Sequence, residues 1–174
     1  MPASEVYRLI EPGPVVLLTT RAEDGAADVM TMSWHMMVEF VPPLIACIVS
    51  EGDYSFQALD ATGECVIAIP GLELAEKVVA IGNCSGRDTD KFTTFGLTAL
   101  EAQRVRAPLV GEAFANLECR VADRTLKAKY NLFVLEVVAA WRDGRDPAPA
   151  TIHHHGYGRF VADGAPLTLA SRMP

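Results

Sequence analysis

The feature that most constrains this chain is its punctuation. Short apolar runs rich in β-branched residues follow one another, separated by turn-forming clusters: Pro12-Gly13-Pro14, Glu23-Asp24-Gly25, Pro42-Pro43 and Pro70-Gly71. The runs Val15–Thr20, Asp28–Phe40, Leu44–Val49 and Cys65–Ile69 each read as a strand. Along the second, Met30, Met32, Trp34 and Met36 share one face and Thr31, Ser33, His35 and Met37 the other. Leu44–Val49 is continuously apolar, which predicts burial on both faces. Later, Leu117, Cys119 and Val121 alternate with Asn116, Glu118 and Arg120, predicting a half-exposed strand. Tyr130–Trp141 is apolar on both faces, as in a covered sheet or a subunit interface. Helices are few. Leu72–Ile81 carries the stripe Leu74, Val78, Ile81 and ends at Gly82, while Asp53 caps a shorter helix over Tyr54–Leu59. Asp90 or Thr89 can cap one turn through Phe92. Strands following strands exclude an alternating parallel sheet and predict a mainly antiparallel barrel with peripheral helices.

At 174 residues with half of them hydrophobic, the chain reads as one domain spanning 1–174, and disorder is excluded. Its mean hydropathy of +0.19 is high for a soluble monomer, so some apolar surface is expected to meet a partner or a large ligand. No apolar run approaches the ~20 residues of a membrane helix, and residues 1–10 lack the apolar core of a signal peptide. The expected location is the cytoplasm.

Charge is unevenly placed. The net charge of −7 argues against a nucleic-acid partner. Residues 1–100 hold five Lys/Arg against fourteen Asp/Glu, and no basic residue lies between Arg21 and Lys77. Two of those five cations, Arg87 and Lys91, fall four residues apart on a Gly-containing loop. That loop is a candidate anion site; the alternative is a solvated loop whose cations pair with Asp88 and Asp90.

Other motifs are weak alone. Cys47, Cys65, Cys84 and Cys119 form no CxxC pair; Cys47 and Cys65 fall in core strands, and Cys84 sits in a polar loop. His153-His154-His155 cannot easily offer three ligands to one ion, because neighbouring residues of an extended chain point apart; no metal site is expected. The glycines around Tyr157 suit either a cap on a planar ligand or an ordinary strand and turn. Tyr54-Ser55, at the start of a helix, can donate to a phosphate or merely form the cap.

Five stretches in order, 28–43 (DVMTMSWHMMVEFVPP), 50–55 (SEGDYS), 64–70 (ECVIAIP), 82–92 (GNCSGRDTDKF) and 130–136 (YNLFVLE), resemble the flavin reductase-like family, closest to its flavoredoxin group. The resemblance runs from about residue 12 to 161. It implies an FMN-binding split barrel, a Greek-key antiparallel barrel with flanking helices, assembled as a homodimer with FMN near the interface. It places Trp34 beside the flavin ring or ribityl chain, with Thr31, Met32 and Ser33 along the flavin. Ser55 would reach the phosphate or ribityl region with Ser50 nearby, and Ser85, Gly86, Arg87 and Lys91 would surround the phosphate. Tyr130 would lie close to the ring, and Tyr157 and Phe160 would come from a C-terminal cap. Two positions depart from the family pattern. Asp28 stands where relatives often carry Asn, so it points away, is protonated, or weakens the hold on the flavin. Tyr130 replaces a frequent His and removes an imidazole donor.

The function implied is passage of reducing equivalents from NADH, NADPH or a protein donor through FMN to an acceptor, with no covalent catalytic residue. Alternatives are an FMN electron carrier without a nicotinamide site, or a split-barrel protein binding haem or another planar ligand.

Overall fold

The structure, a computed structural model, describes residues 13–144, 149–166 and 169. The readings of residues 1–10 and of the middle of the 143–149 loop fall outside them. Seven strands form one antiparallel sheet: β1 (Val16–Arg21), β2 (Ala27–Met32), β3 (His35–Phe40), β4 (Pro43–Ile48), β5 (Glu64–Ile69), β8 (Ala115–Asp123) and β9 (Leu132–Arg142). Their order is β2-β1-β5-β8-β9-β4-β3. The two edge strands, β2 and β3, are neighbours in sequence with only Ser33 and Trp34 between them. That link spans at most ~10 Å, so the sheet must curl until its edges meet there. The result is a barrel drawn together at Ser33-Trp34. Its seam is pinned by the Ile48 N–H donating to the Trp34 carbonyl at 3.0 Å and by His35 Nε2 against the Pro14 carbonyl at 2.8 Å.

The expected continuous strand over 28–40 is therefore two strands at opposite edges. Its supposed shared face divides accordingly: Met32 is buried inside the barrel, whereas Trp34 and Met36 are exposed. Period-2 alternation holds cleanly in β1. Val16 and Leu18 enter the barrel interior with Cys47, Cys65, Phe133 and Leu135, while Val15 and Leu17 face an outer layer. Helix α1 (Tyr54–Thr62) closes one end of the interior with Phe56 and Leu59. The outer layer is built on helix α2 (Ala75–Gly82), preceded by a 3-10 turn over Leu72–Leu74 rather than starting at Leu72. The expected stripe of Leu74, Val78 and Ile81 is buried there, against Val15, Leu17 and Val29. Short helix α3 (Lys91–Thr94) begins at Asp90, whose carboxylate accepts from the Thr93 N–H at 3.1 Å. A final short helix, α4 (Lys127–Tyr130), leads into β9. Small paired strands β6 (Ala99–Leu100) with β7 (Leu109–Val110), and β10 (Ile152–His154) with β11 (Phe160–Ala162), complete the described elements.

Three further expectations change. β4 buries Ile45 and Cys47, but Leu44, Ala46 and Ile48 on its other face are half-covered. β9 likewise buries Phe133 and Leu135 while Leu132, Val134 and Val138 stay partly open, and Tyr130 belongs to the preceding helical turn. The polar face of β8 is covered over its first half, while Arg120 stays exposed as expected. Glu118 is fully buried and Asn116 nearly so, because the 103–110 segment lies over them. Glu118 accepts from the backbone N–H groups of Gln103 and Val105 at 3.1 and 3.2 Å, from that of Arg104, and from Trp141 Nε1 at 2.6 Å.

Candidate functional site

Edge strand β2 has no partner strand on one side, and a groove runs along that side. Two adjoining cavities occupy it. The first, about 260 Å³, is lined by β2 (Asp28, Met30, Thr31), the start of α1 (Gly52, Asp53, Tyr54), the end of α2 and the following loop (Ile81 to Ser85), and Lys91. The second, about 310 Å³, is lined by Val15, Ser33, Val78, Val79, His154, Gly158 and Phe160. Thr31, Gly82 and Asn83 line both, so the two are halves of one groove. Each half falls near the lower limit of volumes typical for small-molecule sites, which start at roughly 300 Å³.

Local structure explains the groove. The Thr31 hydroxyl donates to the Val78 carbonyl at 2.5 Å and ties β2 to α2. Gly82 allows that approach, since a Cβ there would come within 3.3 Å of the Thr31 side chain. Gly86 is more tightly required: a Cβ would lie 2.2 Å from Asp28 Oδ1 and 2.5 Å from the Tyr54 ring. The 83–91 loop thus presses its backbone against the end of β2, as no residue with a side chain could do.

At the polar end lies a buried charged network. Lys91 Nζ sits 3.6 Å from Asp28 Oδ1 and donates to the Val29 carbonyl at 2.8 Å. Ser55 Oγ donates to Asp28 Oδ2 at 2.6 Å. Asp28, Ser55 and Lys91 are all 5% exposed or less. Asp28 does not point away: it lines the cavity and is the partner of Lys91. The candidate pairing of Lys91 with Asp88 or Asp90 is replaced by this one. Asp53 stands at the N-cap of α1, yet its carboxylate accepts from the Ser50 N–H at 2.9 Å instead of capping the helix.

The structure sorts the residues singled out in the sequence. Thr31, Ser33, Ser85, Lys91 and Phe160 come together on the groove, with Gly86 packed beside it. Arg87 lies next door on a wider cleft shared with Tyr54, its guanidinium 6.0 Å from the Tyr54 ring centre. Met32 has its side chain in the barrel core, and Ser55 is held against Asp28. Trp34, Ser50 and Tyr130 form a separate group around the end of β4. Ile48 bonds the Trp34 carbonyl, Val49 bonds the carbonyl of Asn131 just after Tyr130, and Ser50 follows. All three are exposed and line neither half of the groove. Tyr157 is an exposed turn residue at φ 51°.

The sequence did not signal Val78 or Val79 as groove residues, their only mark being helical periodicity, and Gly82 and Asn83 stood out only as the start of the family-like 82–92 stretch, with no role given to them. His154 is the groove member of its triplet, with its ring centre 4.8 Å from that of Phe160. His153 instead bonds Asp163 at 2.6 Å, and the His155 N–H donates to the Arg159 carbonyl. Among the described residues no cluster of His, Cys, Asp or Glu is arranged to hold a metal. Cys47, Cys65 and Cys119 are buried in the barrel. Burial, with Cys119 nearby, pushes the Cys47 thiol up to about 12, which leaves it unreactive. Among the described residues no helix is long and apolar enough to cross a membrane.

The arrangement offers a groove with a charged, hydroxyl-bearing end and an apolar, aromatic end, on the free edge of a strand. This division fits an elongated planar ligand with a polar tail. Comparisons with known proteins identify the family and the fold. The flavin reductase-like domain family matches residues 7–160. An uncharacterized Escherichia coli K12 protein, YddH, is 34% identical, covering 92% of each chain. An FMN-binding domain of a flavin reductase-like enzyme from Shewanella baltica superposes with a TM-score of 0.84 at 25% identity, over 98% of this chain and 96% of that one. Flavoredoxin of Desulfovibrio vulgaris (Miyazaki F) superposes with a TM-score of 0.83 at 25% identity, over 92% of each. The barrel is thus a split barrel of the FMN-binding type.

Proposed function

The chain belongs to the flavin reductase-like domain family, and on that premise we propose that it is an FMN-dependent oxidoreductase, taking reducing equivalents from NADH, NADPH or a protein donor. The observation that carries this reading is the groove on β2, polar at Asp28, Ser85 and Lys91 and apolar at Val15, Val78, Val79 and Phe160. When bound, FMN supplies the redox chemistry, and the chain supplies binding, orientation and a controlled surround. Ser85 and Lys91 line the end that would receive the phosphate, with Arg87 at its margin. Gly86 lets the loop backbone come close. Thr31 and Ser33 line the ribityl region along the open strand edge. Val78, Val79 and Phe160 exclude water from the ring end, where the aromatic faces of Phe160 and His154 suit a planar ligand. No covalent nucleophile is required.

Trp34, Ser50 and Tyr130 belong to the same site through assembly. Edge strand β3 and the adjoining turn expose Trp34, Met36, Met37, Val38, Phe40 and Val41, with Phe40 82% and Val41 87% accessible. An edge so apolar is an association surface unless something covers it. A homodimer formed through this edge meets that need and accounts for the chain's high mean hydropathy. Phe40→Asp is expected to convert the dimer to monomer by light scattering; an unchanged mass places the interface elsewhere.

An absorption spectrum of FMN-loaded protein followed by anaerobic mixing with each nicotinamide tests the reading. Saturable FMN uptake and bleaching near 450 nm by NADH or NADPH are expected. Uptake with no bleaching by either leaves a protein donor as the source. A colourless protein that takes up no FMN overturns the reading.

A further inference from the structure

Among the described residues, Lys91 is the one cation lining the polar half of the groove, and it is already paired. Lys91 Nζ lies 3.6 Å from Asp28 Oδ1, and both side chains are 4% exposed. A second carboxylate, Asp53, lines the same cavity, so its walls carry two acids and one ammonium. Arg87 lies outside, on the cleft shared with Tyr54. A dianionic phosphate brought against Lys91 therefore meets an ion pair, not a free cation. Coulomb energy falls as the inverse of distance. An anion ~4 Å from the ammonium and ~6 Å from the carboxylate loses about two-thirds of the lysine's attraction to the carboxylate's repulsion. Asp28 cannot swing aside to relieve this, because Ser55 Oγ donates to its other oxygen and Gly86 is packed onto it.

We propose that Asp28 is a specificity-determining residue: by pairing with Lys91 it cancels the pull on the phosphate, so the groove selects a flavin by its ring and ribityl chain. The ligand class is then flavins with or without a 5′-phosphate, held exchangeably. This rests on the flavin reading above and deepens it.

The test measures fluorescence-quench affinities for FMN and riboflavin in the wild-type protein and in Asp28→Asn. Asn at 28 keeps an oxygen to accept the Ser55 hydroxyl but carries no charge. The wild-type protein is expected to hold the two flavins within about tenfold of each other. Asp28→Asn is expected to tighten FMN by about tenfold while riboflavin stays within about twofold. A wild-type preference for FMN beyond about tenfold, or a variant that shifts both flavins together, overturns the inference while leaving the flavin reading intact. Binding of neither flavin overturns both. If the variant does not fold, a salt titration of the wild-type protein decides. Equal response of the two affinities to salt supports the cancelled charge, and selective weakening of FMN contradicts it.

Discussion

Among the described residues, two carboxylates are buried in the barrel wall, and their surroundings differ in kind. Glu118 on β8 is fully buried and is met by four N–H groups, three from the backbone of the 103–105 segment and one from Trp141. Asp28 on β2 is met by one hydroxyl and one ammonium, and it lines a cavity. Burial alone would raise the Glu118 carboxyl. The hydrogen bonds from Trp141 and the three backbone groups outweigh it and hold the group below its ordinary 4.5. Glu118 is solvated by the protein and fastens a loop to the sheet. Asp28 is balanced by charge beside an open space, where a ligand can alter the balance. A saturated carboxylate is scaffold; one balanced by a single cation at a cavity is positioned to influence binding.

The comparison can be broken at either end. The largest effect is expected at Glu118. Glu118→Gln places an amide against N–H donors and should cost about 3 kcal/mol. In a chain of this size that lowers Tm by roughly 6–12 °C, and saturating FMN should not selectively rescue it. Thermal melts with and without FMN check this. Acid should act at the same place. The stability this group contributes is present above its ordinary 4.5 and is lost as pH falls through its depressed folded value. Wild-type stability should therefore decline more steeply with acid than that of Glu118→Gln. Asp28→Asn is expected to do less to the fold, about 1–2 kcal/mol, since Lys91 keeps the Val29 carbonyl and faces the cavity. Unlike the first variant, it should be restored by FMN, because the phosphate replaces the lost partner. Rescue of both variants, or of neither, would erase the distinction between the two carboxylates.

Much of this was legible in the sequence, and the physical reason varies by residue. Alternation in Val15–Thr20 and the stripe of Leu74, Val78 and Ile81 were readable because each element has a dedicated apolar face. Clustering of Lys91 with Ser85 and Gly86 in an otherwise acid-rich stretch marked the polar end of the groove. The break at Ser33-Trp34 was hidden because both flanking strands share one hydrophobic phase; only closure of the barrel separates them. Glu118 read as a surface residue since strand alternation cannot show that the 103–110 segment covers that face. Asp28 was noticed as a misplaced charge, but its pairing with Lys91 depends on the long return of the chain past α2, which no local pattern encodes.

On the proposed reading the β2–α2 groove is the flavin site, and filling it at Asn83 should abolish binding. Asn83 is exposed at the end of α2 and lines both halves of the groove. Asn83→Trp fills the junction without disturbing the core. Titrating FMN while following its fluorescence should show saturable quenching by the wild-type protein and none by Asn83→Trp, with Tm unchanged between them. Equal quenching by both proteins, or none by the wild type, would contradict the account.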